Sequence, residues 1–252
     1  MISKKAQIGK NVIIGESVTI EDDVIIGDNV TVGSCAFIGN GARISEGVKI
    51  FHGAIVSAAP QDLKYKNEPT ICEIGENTII RECASVHRGT TNRKKTVVGG
   101  NCLIMSYAHI AHDCLIGNNV IMANCASLAG HVSISDWVII GGLAGIVQFL
   151  RAGKHSFVTA GTLVTKEIPP FIIAHGTQDV RFMGLNVVGL KRRGFENDRI
   201  RKIKDVYELI FNSQYNVSDA IKKIKNEIES DDDVTEIINF IETSKNGIIK
   251  GL

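Results

Sequence analysis

Over most of this chain every sixth residue is aliphatic, and the register holds for too long to be accidental. From Ile8 the series runs through Ile14, Ile20, Ile26, Val32, Ile38, Ile44 and Ile50 to Val56 without a break. Four residues after each member comes a smaller or β-branched side chain, as at Val12, Val18, Val24, Val30, Ala36, Ala42, Val48 and Ala54. The same phase returns at Ile74, Ile80 and Val86. It then continues from Val98 through Ile104, Ile110, Ile116, Met122, Leu128, Ile134, Ile140 and Ile146 to Val158 and Val164, with Ala152 the weak member. Neither the helical period nor simple strand alternation produces this spacing; short strands joined by regular corners do. Three such strands close one triangular coil of about 18 residues, and successive coils stack at the usual strand spacing of about 4.8 Å. Both series are expected to face the interior. The glycines that follow the aliphatic residue, Gly9, Gly15, Gly27, Gly33 and Gly39, are expected to ease the corners. A β-sandwich keeps no fixed register of this length.

Two polar stretches interrupt the pattern, near 60–73 and 87–97, and carry Pro60, Pro69 and the basic run Arg93-Lys94-Lys95. Because the phase survives both, they read as loops extruded from the coil. After Pro169-Pro170 the period of six stops and helical spacing takes over. One stripe comprises Ile200, Ile203, Val206, Tyr207, Ile210 and Phe211, a second Ile221, Ile224 and Ile228, and a third Val234, Ile237, Ile238 and Ile241. Ser230 with Asp233 is expected to cap the third. The expected organisation is a mainly β coil domain over 1–178 and a C-terminal α-helical domain over 179–252 that covers the coil end and helps pair subunits.

Lys and Arg number 28 against 27 Asp and Glu, a formal net charge of +1. That balance lacks the positive field a nucleic-acid partner calls for. No run approaches the roughly 20 apolar residues of a transmembrane segment, and Met1 to Lys5 leads directly into the repeat, so a cytoplasmic location is expected. The six cysteines, Cys35, Cys72, Cys83, Cys102, Cys114 and Cys125, form no CxxC pair and read as core or wall residues, with no metal site expected. No phosphate-binding or dinucleotide glycine fingerprint is present.

The densest titratable cluster on the repeat is His109-Ile110-Ala111-His112-Asp113. Ile110 holds an inward position, so His109 should point outward and His112 and Asp113 should fall at the next corner, with the imidazole exposed. A histidine so placed can take a proton from an attacking hydroxyl, an effect typically worth about 10²–10⁴ in rate. Asp113 can orient it, although neighbours in sequence need not touch through their side chains.

His109-Ile-Ala-His-Asp113, Leu128-Ala-Gly-His131, Gln148-Phe149 and Gly189-Leu-Lys-Arg-Arg-Gly-Phe195, together with Gln61-Asp-Leu-Lys-Tyr65 and His87-Arg-Gly89, resemble the UDP-N-acetylglucosamine acyltransferases of lipid A synthesis. The resemblance spans nearly the whole chain. It implies a left-handed parallel β-helix of hexapeptide repeats, whereas crossover physics alone favours a right-handed coil in about 98% of cases. It also implies transfer of a 3-hydroxyacyl group from acyl carrier protein to the 3-position of the UDP-amino sugar. His112 then matches the general base and the Gly130 N–H the oxyanion donor. His109, His131 and Gln148 match the sugar and acyl site. Gln61, Asp62, Lys64 and His87 match positions around the nucleotide sugar and acyl groups, and Asn186, Arg192 and Arg193 the far end of the cleft, where phosphates and carrier approach. Ala160 matches the position that limits acyl-chain length, and its small side chain implies a long acyl group. No cofactor is implied, since phosphopantetheine arrives on the carrier. A single convex face offers no deep concavity, so the site is expected between copies of a homotrimer.

Two positions depart from the family pattern. Val147 stands where histidine is common and Val188 where glutamate is, which leaves open whether the acceptor is a 3-hydroxyl or the 3-amine of a sibling substrate. Two other classes also stay open: a zinc enzyme of the carbonic-anhydrase-like solenoids using His109, His112 and His131, and a non-catalytic scaffold.

Overall fold

Each hexapeptide becomes a strand and a corner, and the strands are short, most of them two residues long, as at Gln7–Ile8, Ile13–Ile14 and Thr19–Ile20. In the computed structural model, which describes residues 1–211 and 214–251, these strands stack into three sheets of 8, 10 and 8 strands. The first sheet starts at Gln7–Ile8, the second at Ile13–Ile14 and the third at Thr19–Ile20, so the chain visits the three in turn. Pairing is parallel and set by the repeat: Ile8 opposes Ile26, Ile14 opposes Val32 and Ile20 opposes Ile38. The result is a left-handed parallel β-helix. The right-handed rule derives from strand twist feeding a crossover, and strands of two residues carry too little twist to impose it.

The inward series forms one continuous core. Ile26, Ile38, Ile50, Ile74, Ile80, Ile104, Ile110, Met122 and Leu128 are all buried, and the weak position is filled by a fully buried Ala152. In the first coil Ile8, whose strand pairs on one side alone, is 40% exposed.

The glycines do a different job from the expected one. The left-handed residue at each corner comes three positions after the aliphatic one, and along the edge joining the first and second sheets it is often asparagine: Asn11, Asn29, Asn77, Asn101 and Asn119, with φ between 55° and 57°. Gly9 and Gly27 are not in that region. A Cβ on Gly9 would lie 2.6 Å from the Gly27 carbonyl carbon, and one on Gly27 2.9 Å from the Glu46 amide nitrogen. These glycines let successive coils approach closely.

Both interruptions leave the coil as loops, and the phase resumes behind them with Cys72 opposite Ala42 and Val97 opposite Leu115. Beyond Pro170 the second sheet continues through Ile172–His175 and ends in an antiparallel partner, Arg181–Leu185. Four helices follow among the described residues: α1 (Val187–Arg192), α2 (Asn197–Phe211), α3 (Val217–Glu227) and α4 (Asp232–Glu242). The three apolar stripes are the buried faces of α2, α3 and α4, except that Ile228 caps the C-terminus of α3. The cap of α4 is Asp231, which accepts from the amides of Asp233 and Val234; Ser230 bonds Thr235 instead. Asp231 can do this because its backbone is extended, as an N-cap requires. No helix among the described residues is long and apolar enough to cross a membrane.

The cysteines divide by register. Cys72, Cys102 and Cys114 are buried, while Cys35 and Cys125 stand exposed at corners. Burial pushes the thiols of Cys72 and Cys114 up to about 12, and a protonated, inaccessible thiol is a poor nucleophile. Native protein treated with iodoacetamide is therefore expected to carry no adduct on Cys72, Cys102 or Cys114 by peptide mass spectrometry, and to gain all three after denaturation.

Candidate active site

Because one coil takes three hexapeptides, residues one coil apart lie side by side. His112, Gly130 and Gln148 form one column on the edge between the third and first sheets, and Asp113, His131 and Phe149 form the column next to it. The second column sits in the left-handed region, with φ of 60°, 65° and 66°. That conformation swings Asp113 back towards its neighbour, and His112 Nδ1 lies 2.8 Å from Asp113 Oδ2.

Asp113 is fully buried. Burial opposes its ionisation, but hydrogen bonds from His112, from the Thr90 hydroxyl and amide and from the Arg93 amide outweigh that and hold its carboxyl below the usual range. An ionised carboxylate accepts, so His112 donates through Nδ1, and in the neutral ring Nε2 is the lone-pair acceptor. The imidazole is more enclosed than its corner position implies, with a side-chain exposure of 14%. It packs against the backbone of Gly130, where a Cβ would come within 2.6 Å of Cε1 and 2.8 Å of Nε2. The Gly130 amide has no acceptor among the described residues, as is also the case for the His112 and Gln148 amides of the same column. His131 meets His112 edge-on at 5.2 Å and stacks on Phe149 at 4.5 Å.

His112 borders two clefts. One, of about 640 Å³, is walled by the first loop with Gln61, Asp62 and Lys64, by Thr90 to Asn92 of the second loop, and by His131, Gln148 and Phe149. The other, of about 520 Å³, runs over the third sheet past His109, Gly130, Val147 and Leu163. Gln61 and Gln148 line both. His109 points outward from its strand, and its Nδ1 lies 2.8 Å from the Ser85 hydroxyl. His87 packs edge-on against it at 4.8 Å and is buried, with Nδ1 unpartnered.

Other expected site residues lie elsewhere. Ala160 is exposed at the opposite corner of the third sheet and lines neither cleft. Asn186 is spent on structure: it caps α1, accepting from the Gly189 amide, and donates to the His155 carbonyl, so both ends of its buried amide are occupied. Arg192 is exposed, while Arg193 lies 5.2 Å over the Trp137 ring and 3.3 Å from His155 Nδ1. Val188 is 62% exposed. Among the described residues the groups that could bind a cation together are His112, Asp113 and His131, whose ligand atoms fall within 4.8 Å of one another; His109 is not among them. In the sequence Arg93 shows only as part of a basic run and Thr90 carries no signal, because both sit in a loop with no register.

His87 and His155 are both held down to about 4, chiefly by burial and secondarily by nearby positive charge. The unfolded chain takes up these protons near pH 6.5, before the folded one does, so acidification through this window favours unfolding. The melting temperature is expected to fall as pH drops from about 6.5 towards 4, and the double variant His87→Gln, His155→Gln to lose much of that slope in calorimetry.

Comparison with known proteins places this geometry in a family. The family described as UDP N-acetylglucosamine O-acyltransferase, domain 2, matches residues 167–249, and the bacterial transferase hexapeptide family matches 5–40 and 95–130. An acyl-(acyl-carrier-protein)-UDP-N-acetylglucosamine O-acyltransferase from Myxococcus xanthus is 44% identical over 201 residues, covering 79% of this chain and 78% of the relative. The protein of the same name from Burkholderia mallei is 37% identical over 204 residues, with the same coverage. The crystal structure of a UDP-N-acetylglucosamine acyltransferase from Bacteroides fragilis superposes with a TM-score of 0.96 at 41% identity, covering 99% of this chain and 97% of that one. By repeat, fold and sequence alike, the chain belongs to the UDP-N-acetylglucosamine O-acyltransferase family of hexapeptide-repeat acyltransferases.

Proposed function

We propose that this protein transfers a 3-hydroxyacyl group from acyl carrier protein to the 3-hydroxyl of UDP-N-acetylglucosamine, with His112 as general base. The observation that carries the reading is the free Nε2 of His112, held by a buried carboxylate where two clefts meet. Nε2 takes the proton of the sugar hydroxyl as its oxygen attacks the thioester carbonyl. The negative charge that develops on the carbonyl oxygen is met by the unpaired Gly130 amide. When the carbon–sulfur bond breaks, the thiolate of the carrier's phosphopantetheine leaves and recovers the proton from His112. The polar cleft with Asp62 and Lys64 suits the nucleotide sugar, and the cleft past Val147 and Leu163 suits the acyl chain.

The faces left open support a homotrimer. On six successive strands of the second sheet the outward residues are Ile79, Leu103, Ile121, Ile139, Phe157 and Ile173, all half-buried in the single chain, and the adjoining corner exposes Tyr107 and Leu143. An apolar ladder of that extent is a surface for another copy. Light scattering on the active enzyme is expected to return three copies; an active monomer would contradict it.

The direct test incubates the protein with UDP-N-acetylglucosamine, its 3-amino analogue and a ladder of 3-hydroxyacyl carrier proteins, and identifies products by mass. Acylation of the hydroxyl acceptor with release of free carrier thiol is expected. Acylation of the amine alone would make the enzyme an N-acyltransferase, and no product with either would overturn the reading. Stoichiometric zinc in the same preparation, lost together with activity, would move it to the metal class.

A further inference from the structure

Two signature segments of the sequence, Gln61 to Tyr65 and His87 to Gly89, are joined by a contact to which the chemistry above gives no role. Arg88 leaves the coil where the second loop begins, and its Nε donates to the Tyr65 hydroxyl at 3.0 Å. Its Nη1 donates to the carbonyls of Asn40 and Ser57, at 3.2 and 3.1 Å, which belong to earlier coils. The guanidinium lies 5.6 Å over the Tyr65 ring, and the Tyr65 hydroxyl in turn donates to the Glu68 carbonyl. The remaining bonds of this loop mostly close it on itself: Lys64 amide to Asp62, Tyr65 amide to Asp62, Lys66 amide to Glu68. A further tie, to the second loop, is the Thr91 amide, which helps hold the Glu68 carboxyl below its usual range after the loop's own amides. At the tip Leu63 is fully exposed, so no packing fixes the segment there.

We propose that Arg88 and Tyr65 form a clasp that sets the 61–68 loop over the nucleotide-sugar cleft, making Arg88 a positioning residue for substrate binding. The proposal rests on the reading of that cleft given above. A guanidinium suits the task because its rigid fork reaches carbonyls of two coils and a phenol at once, which a lysine ammonium cannot reproduce. The clasp acts on ground-state binding through Gln61, Asp62 and Lys64 and leaves His112 and its carboxylate untouched.

For Arg88→Ala, KM for UDP-N-acetylglucosamine is expected to rise about tenfold with kcat within about threefold, the pattern of lost uniform binding. Added methylguanidine should restore much of the affinity. Trypsin should cut the native variant after Lys64 or Lys66 faster than it cuts the wild type. Should Arg88→Ala fail to fold, Tyr65→Phe decides, with a smaller rise in KM and faster cutting expected. Unchanged KM in the folded variant, a fall in kcat without a change in KM, or wild-type cutting would each overturn the clasp. Calorimetric binding of UDP-N-acetylglucosamine read beside the tryptic rate separates the two ideas: a wild-type protein that binds this sugar without acylating it sinks the transfer reading alone.

Discussion

Replacing His112 by alanine is expected to lower kcat about 10²–10⁴-fold, the span that general-base catalysis covers, while KM for the nucleotide sugar changes little. As the proposed general base the side chain meets the sugar hydroxyl through Nε2, and the walls of both clefts are built mostly from other residues. Its removal leaves a buried Asp113 that still accepts from the Thr90 amide and hydroxyl and from the Arg93 amide, so the loop over 87–97 stays anchored and the coil stays folded. Steady-state turnover beside a thermal melt checks both halves. Turnover within a few-fold of wild type would remove His112 from the mechanism, and a lost melting transition would make the result one about folding. The residual rate is not expected to reach zero, because the Gly130 amide and the positioning of two substrates contribute without the base.

The coil was legible in the sequence because a strict period leaves little freedom: once the inward series is identified, pairing partners and the columns of the site follow by adding one coil at a time, which sets Gly130 beside His112 and Gln148 beside Gly130. The helices were legible for the same reason, their apolar stripes being long and regular. What the period does not reach was misread or missed. The contact between His112 and Asp113 depends on a left-handed backbone at Asp113, and in an extended chain two such neighbours would point apart. The donors that ionise Asp113 come from a loop with no register, and distance along the chain hides them, since Thr90 and Arg93 precede it by 23 and 20 residues. Asn186 illustrates the converse. An asparagine before a helix can be a ligand or a cap in sequence, and here it caps α1 through the Gly189 amide while the His155 carbonyl, a tertiary fact, accepts from its Nδ2. The glycines were correctly located and wrongly explained, because close approach between coils becomes visible only when the coils are stacked.

Asp113→Asn should cost nearly as much as losing the imidazole, about 10²–10⁴ in kcat, though it removes no atom from the cleft. The reason lies in which oxygen each donor uses. The Arg93 amide reaches Oδ1 alone at 3.1 Å, the Thr90 amide reaches it at 3.0 Å, closer than its 3.2 Å to Oδ2, and backbone N–H groups cannot reverse their polarity. In the asparagine variant they fix the carbonyl oxygen at that position and leave the amide nitrogen in the place of Oδ2, facing His112 Nδ1 and the Thr90 hydroxyl, which lie 2.8 and 2.7 Å from Oδ2 in the native protein. The hydroxyl can rotate to accept. His112 must accept as well, so its proton moves to Nε2, the atom that has to be empty when the sugar hydroxyl arrives. The variant should fold, bind the nucleotide sugar with near-native KM and turn over slowly, and nitrogen chemical shifts of the His112 ring should report the exchanged tautomer. Asp113→Ala makes the contrast: it strands the buried amides of Thr90 and Arg93, each at a cost of about 1–3 kcal/mol, so its melting temperature should fall where that of the asparagine variant holds. Wild-type turnover in Asp113→Asn with the tautomer exchanged would mean that Nε2 is not the proton acceptor, and the base would have to be sought among the other imidazoles of the cleft.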